Sequence, residues 1–318
     1  MSIRFCIWNF LLLAMFAFAA PAQGGNQLKS SQQSYESGNA AIGRRDFVAA
    51  IDEYTKAINL DPTVPEFYFN RAVAYRNIRR FDLAIKDFEK VLALEPKLPL
   101  NTWAEIYFGL GTVYQENSEY TKAIDNLSKA ISLDSNTAKF YTNRGNTYLF
   151  LKQFDQALAD YNKSLDLLPA ALTYYSRAKL FDEKQEIEKA LIDYSKAIEM
   201  SPRFAEAFSN RGLVFQKKKN LELALSDFSS AISISPLDGI YHFNRANVYV
   251  AKGQFASAIA DYTKTIEIFP RWAEAYRRRA NAHRKSGNLK LADSDIRKAK
   301  DVEKDGFDPA NKIELINP

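Results

Sequence analysis

The chain has 318 residues, 47% of them hydrophobic, with 43 basic against 38 acidic side chains for a formal charge of +5. That is enough apolar material for a folded core, while so mild a charge does not by itself single out nucleic acid or any other polyanion as a partner. Two histidines, one cysteine, and no glycine-rich phosphate loop or metal-ligand spacing leave nothing to carry catalysis, a metal or a cofactor, so the expectation is a non-enzymatic protein.

In chain order, Met1 to Arg4 carries one positive side chain, Phe5 to Ala20 is mostly apolar, and Ala20-Pro21-Ala22 follows. This is the order of a secretory signal peptide, expected to be cleaved after Ala22. The apolar run is shorter than the ~20 residues of a spanning helix and contains Asn9. Cys6 precedes the run and is not placed for lipid modification. The mature chain then has no thiol, so its stability must come from packing. No second apolar stretch long enough to span a membrane follows. The reading is an exported protein, periplasmic or secreted, with 23–30 as a linker.

Beyond the linker, alanine supplies a ruler. Ala50, Ala84, Ala123, Ala157, Ala190, Ala224, Ala258 and Ala292 recur at intervals of 33 or 34, except one of 39 between Ala84 and Ala123. Four residues after each comes a ring or an aliphatic residue: Tyr54, Phe88, Leu127, Tyr161, Tyr194, Phe228, Tyr262 and Ile296. Within 205–238, Phe208, Gly212 and Phe215 fall on one helical face, and Ala224, Phe228 and Ala231 repeat that spacing in a second helix. Lys217 to Asn220 is the turn between them, and Pro236 stops the second helix. Each unit is a helical hairpin.

This spacing resembles the tetratricopeptide repeat, whose pattern runs aromatic, small, aromatic, then Ala, aromatic, small and Pro over 34 residues. The resemblance implies an all-α right-handed solenoid of eight hairpins, at 31–64, 65–98, 104–137, 138–170, 171–204, 205–238, 239–272 and 273–306, with a tail at 307–318. It also implies a scaffold that holds a protein, peptide or helix in its concave groove. Ser34 and Ala41 replace the rings in the first unit, as expected of an end cap. Pro99 to Trp103 are extra residues that lengthen a connection or add a turn before the third unit, and Phe307, Ile313, Leu315 and Ile316 are placed to cover the last unit.

Counting each unit from one, position 7 is arginine in Arg71, Arg144, Arg177, Arg211, Arg245 and Arg279, and each of those units has aspartate at position 23: Asp87, Asp160, Asp193, Asp227, Asp261 and Asp295. The two units with Ser37 and Leu110 instead carry Glu53 and Asn126. Variation in step between copies predicts an ion pair inside each hairpin, Arg71–Asp87 through Arg279–Asp295. His242 and His283 occupy ring positions and read as core substitutions.

Position 6 lies on the other side of the first helix. Asn70, Asn143, Asn210 and Asn244 there, with Asn146, Asn247 and Asn281 at position 9, are candidates to hold the backbone of a partner peptide; an ordinary solvated polar role is the equal alternative. The last unit is strongly basic, and Arg277, Arg278, Arg284 and Lys285 are candidates for an acidic segment or polyanion, against the plainer role of a charged end cap. Export argues against nucleic acid. The lysine-based clamp by which some family members hold chaperone C-termini is broken here, with Ser209, Leu213 and Glu274 at its positions.

Overall fold

The structure, a computed structural model, describes residues 25–94, 97–303 and 309. The leader at 1–22, Pro96, and the tail residues Phe307, Ile313, Leu315 and Ile316 lie outside the described residues. Sixteen α-helices and no strand occur among those described, in two compact units divided in sequence between Leu168 and Pro169.

In the N-terminal unit α1 (Gly25–Gly43) pairs with α2 (Phe47–Leu60), α3 (Pro65–Asn77) with α4 (Phe81–Ala93), α5 (Leu100–Glu116) with α6 (Tyr120–Leu133), and α7 (Ala138–Phe150) with α8 (Phe154–Leu167). In the C-terminal unit the pairs are α9 (Ala171–Glu183) with α10 (Ile187–Met200), α11 (Ala205–Lys217) with α12 (Leu221–Ile234), α13 (Gly239–Ala251) with α14 (Phe255–Ile268), and α15 (Ala273–Lys285) with α16 (Leu289–Glu303). Inside each unit the second helix of one hairpin packs on the first helix of the next, and first helices two apart also touch, as α3 with α5, α5 with α7, α11 with α13 and α13 with α15. Each unit is therefore an α-solenoid, with its first helices side by side on one face.

The ruler alanines explain how two helices come this close. All eight are fully buried, and so, within 1%, are the ring or leucine four residues after each of the first seven. The ring presses on position 8 of the first helix, where a Cβ added at Gly38, Gly145 or Gly212 would meet Tyr54, Tyr161 or Phe228 at 2.5, 2.9 and 3.1 Å. Position 8 is thus a contact point where side-chain volume is excluded by the facing ring.

Every hairpin closes on one left-handed residue at position 15. Arg45, Arg79, Ser118, Lys152, Gln185 and Lys219 have φ between 58° and 63°, and only Gly253 and Gly287 meet this need with glycine. The next N–H bonds the carbonyl of position 11, as Arg80 to Tyr75 and Asn220 to Phe215. This bond closes the first helix in a Schellman cap. Asp46 and Asn220 then cap the second helix by accepting from Ala49 and Leu223.

One sequence expectation changes and one open alternative is decided. Gly25 to Ser30, read as linker, form the first turns of α1, which runs 19 residues where most first helices run 13. Ser31 Oγ donates to the Leu28 carbonyl in that added stretch, and Ser31 is buried. The extra residues before the third unit are helical as well: Leu100 to Trp103 open α5, with Pro99 at its N-cap.

Candidate interaction surface

The arginine at position 7 is walled in by its own helix. Its guanidinium lies 5.6 to 5.8 Å from the rings at positions 4 and 11 in Arg71 (Tyr68, Tyr75), Arg177 (Tyr174, Phe181) and Arg211 (Phe208, Phe215). Nε and one Nη donate to both oxygens of the position-23 aspartate at 2.7 to 2.9 Å in Arg71–Asp87, Arg144–Asp160, Arg177–Asp193, Arg211–Asp227, Arg245–Asp261 and Arg279–Asp295. All six aspartates are buried. Burial pushes Asp261 up, but its bonds from Arg245 and His242 prevail and hold the carboxyl below its ordinary value.

The remaining Nη1 reaches across to the preceding hairpin. Arg71, Arg144, Arg211, Arg245 and Arg279 donate at 3.0 to 3.1 Å to Thr55, Ser128, Ser195, Ser229 and Thr263, all at position 25. One side chain thus ties a hairpin together and fastens it to its neighbour. Sequence reading missed this hydroxyl, although its signal is present: position 25 is Glu89 where the next unit has Leu110 in place of arginine. The histidines take ring places. His242 Nε2 lies 3.1 Å from the Pro236 carbonyl, as the Tyr68 and Tyr276 hydroxyls lie from those of Pro62 and Pro270 at 3.2 and 3.1 Å. His283 is buried, and burial lowers its pKa.

Most of the candidate asparagines are engaged inside the fold, which corrects their reading as free groove amides. Asn146 is buried and accepts from the Tyr161 hydroxyl at 2.8 Å; Asn247 accepts from Tyr262 at 2.6 Å. Asn39 does the same for Tyr54 at 2.8 Å. Position 9 is asparagine in these hairpins because a tyrosine at position 24 brings a hydroxyl into the core that needs a partner. Asn70 donates to the Tyr35 hydroxyl at 2.8 Å and Asn210 to the Tyr175 hydroxyl at 2.9 Å, each on the preceding first helix. Asn143 donates to the Lys139 carbonyl one turn back at 2.8 Å. Apart from Lys139, these partners sit on a neighbouring helix, where counting degrees around one helix could not find them.

Two of the candidates differ. Asn244 is half-buried and Asn281 exposed, and neither side chain has a hydrogen-bond partner among the described residues. Near them the basic side chains of α15 are exposed or half-buried, yet partly answered by acids. Arg278 donates to Glu274 at 2.6 Å, Arg277 pairs with Glu303, and Arg284 lies 3.6 Å from Asp293. Lys285 Nζ stands 5.8 Å from the Phe255 ring. The described residues of the last two hairpins therefore present open amides on helices where Lys285 is a cation left without a carboxylate.

The hairpin geometry and its register match a known repeat. The family model described as tetratricopeptide repeat matches 65–98, 138–170 and 239–272, and one described as TPR repeat matches 44–77, 116–151 and 178–219. The chain belongs to the tetratricopeptide repeat family. Among curated relatives it is 32% identical over 107 residues to small glutamine-rich tetratricopeptide repeat-containing protein 2 of Mycosarcoma maydis, covering 34% of this chain and 29% of that protein. It is 23% identical over 210 residues to the Hsp70-Hsp90 organizing protein of Triticum aestivum, covering 56% and 36%. The chain thus spans about a third of the length of such relatives. Among solved structures, the APC/C hetero-tetramer Cut9-Hcn1 aligns with TM-score 0.60 at 17% identity over 81% of this chain and 56% of that one. Pseudomonas aeruginosa pilF aligns with TM-score 0.57 at 17% identity over 62% and 90%. These likenesses are of fold. As a tetratricopeptide repeat protein the chain is a protein–protein interaction scaffold. No helix among the described residues is long and apolar enough to cross a membrane.

Proposed function

We propose that this repeat protein is an exported, non-enzymatic scaffold that holds a segment of one partner protein against the first helices of its last hairpins. The observation that carries this reading is the pair of open amides, Asn244 and Asn281, beside Arg278 and Lys285, on a fold whose other candidate amides are occupied internally. An amide offers a donor and an acceptor to peptide backbone, and Lys285, whose ammonium faces the Phe255 ring and no carboxylate among the described residues, favours an acidic side chain or terminal carboxylate in the same segment. Export rests on the leader pattern of residues 1–22.

A photo-crosslinker placed at position 244 or 281 tests the face. It should trap one protein that a crosslinker at Lys129, on the N-terminal unit's second-helix side, does not. Loss of that product is expected from position 281 in Asn244→Ala/Arg278→Ala and from position 244 in Asn281→Ala/Arg278→Ala; equal trapping from positions 244, 281 and 129 removes the reading. Fractionation with intact-mass measurement tests export, which requires a mature chain beginning at Gln23.

The second reading, an acidic polymer bound by the basic hairpin, is favoured only by the charge of α15. The pairing of Arg277, Arg278 and Arg284 with carboxylates argues against it. Binding that weakens steeply with salt would restore it, since a groove-held peptide responds modestly.

A further inference from the structure

In the N-terminal unit one acid stands apart. Glu66, at position 2 of α3, is only 9% exposed, yet it faces no cation among the described residues. Its counterparts are answered: Glu105 is held by Lys139 at 2.7 Å and Glu274 by Arg278 at 2.6 Å. Glu66 has no such neighbour to use, because position 2 is Gln32 in the hairpin before it and Glu105 in the hairpin after. One turn along the same face, Asn70 donates to the Tyr35 hydroxyl at 2.8 Å and to Asn39 Oδ1 at 3.3 Å, which also takes the Tyr54 hydroxyl. None of these bonds involves the carboxyl. The Tyr35 ring packs on Phe67 with centroids 5.2 Å apart.

A buried carboxylate without a counter-ion is costly. Its own backbone N–H and the positive end of α3 offset part of that cost. Burial still pushes its pKa up. The missing component is a positive charge.

We propose that Glu66, flanked by Tyr35 and Asn70, is a subsite for the lysine ammonium or arginine guanidinium of a partner segment. This deepens the scaffold reading, on which it rests, by giving the N-terminal unit a ligand charge opposite to the one its last hairpins favour. The ammonium donates to the carboxylate in a charge-assisted bond.

Calorimetry on the full chain with acetylated tetralysine, tetra-arginine and tetranorleucine tests this, the first two separating ammonium from guanidinium. The expected result is one cationic peptide per chain, no binding of tetranorleucine, and a loss of at least about tenfold on Glu66→Gln. Glu36→Gln, an exposed acid on α1, should change affinity less than about twofold. Equal losses from both variants, or no binding to the unmodified chain, overturn the proposal. Should Glu66→Gln fail to fold, carbodiimide labelling of the unmodified chain decides: tetralysine must protect Glu66 and leave Glu36 reactive, and unchanged labelling of Glu66 sinks the subsite. Failure here with crosslinks from position 244 intact leaves the scaffold standing; the reverse pattern leaves Glu66 and removes the partner face.

Discussion

The C-terminal unit repeats one device without a break, whereas the N-terminal unit interrupts it and substitutes another. From α9 to α16 every hairpin carries the arginine–aspartate clamp, in Arg177, Arg211, Arg245 and Arg279. In the N-terminal unit the third hairpin has Leu110 and Asn126 instead; Leu110 is buried and the Asn126 amide folds back to the Lys122 carbonyl at 2.8 Å. The link from a position-7 arginine to the preceding hairpin is then missing between the second and third hairpins. There Arg76 on α3 donates to both oxygens of Glu116 on α5, at 3.1 and 2.6 Å. Tyr114 also donates to Glu89, the residue standing where a hydroxyl would otherwise receive the arginine, at 3.4 Å. At these junctions the tie is polar, and the sequence supplies it from different positions.

The largest effect separating the two arrangements should come from breaking a clamp. Asp227→Asn or Arg211→Leu leaves one buried charge without its partner and should each cost roughly 3 to 5 kcal/mol. Chemical denaturation of both singles and the double should show the double losing much less than the sum. Additive losses would mean that the two side chains act independently.

A second contrast falls on the junctions themselves. Arg76→Met should cost about 1.5 to 3 kcal/mol, because the half-buried Arg76–Glu116 pair is a main polar tie between its hairpins. Lys217→Met breaks the similarly placed pair with Asp182 in the C-terminal unit, yet Lys217 is half exposed and Arg211 already ties that junction to Ser195. Its cost should stay under about 1 kcal/mol. Equal costs would show that the two junctions do not differ in the way their bonds suggest.

These cases show which parts of the molecule were legible in the sequence. The hairpins and their registers were, because Ala50 through Ala292 mark a contact that only a small residue permits. So was the arginine–aspartate partnership, because eight copies in one chain vary together. Asn70 and Asn210 were misread as groove amides for a physical reason: they meet tyrosine hydroxyls one hairpin away, a relation absent from the periodicity of a single helix. Comparing position 9 with position 24 across copies would have paired Asn39 with Tyr54, Asn146 with Tyr161 and Asn247 with Tyr262. The isolation of Glu66 needed burial as well as sequence, since an exposed glutamate at that position would mean nothing.

That position 9 and 24 relation gives a third, smaller test. Asn146→Ala removes the amide oxygen that accepts from the buried Tyr161 hydroxyl and should cost about 1 to 3 kcal/mol by denaturant titration. Adding Tyr161→Phe should recover much of it, because Phe88 and Phe228 fill the same place in hairpins with Val73 and Leu213 at position 9. Failure to recover would mean that the amide has a role beyond serving the hydroxyl.

The smallest effect distinguishes the turns. Six hairpins hold a non-glycine residue in the left-handed region and the last two use Gly253 and Gly287, so the cost of that conformation is unevenly spread along the chain. A side chain there crowds the following carbonyl, at about 1 kcal/mol or more, while glycine loses more chain entropy on folding. Gln185→Gly in the first turn of the C-terminal unit should therefore raise stability by about 0.5 to 1 kcal/mol, less than the full strain, and Gly253→Ala should lower it by a similar amount. Thermal melts of the two variants against the unmodified chain check both signs. A destabilised Gln185→Gly would show that the Gln185 side chain, whose amide donates to the Asp182 carbonyl at 3.1 Å, contributes more to the turn than its backbone costs.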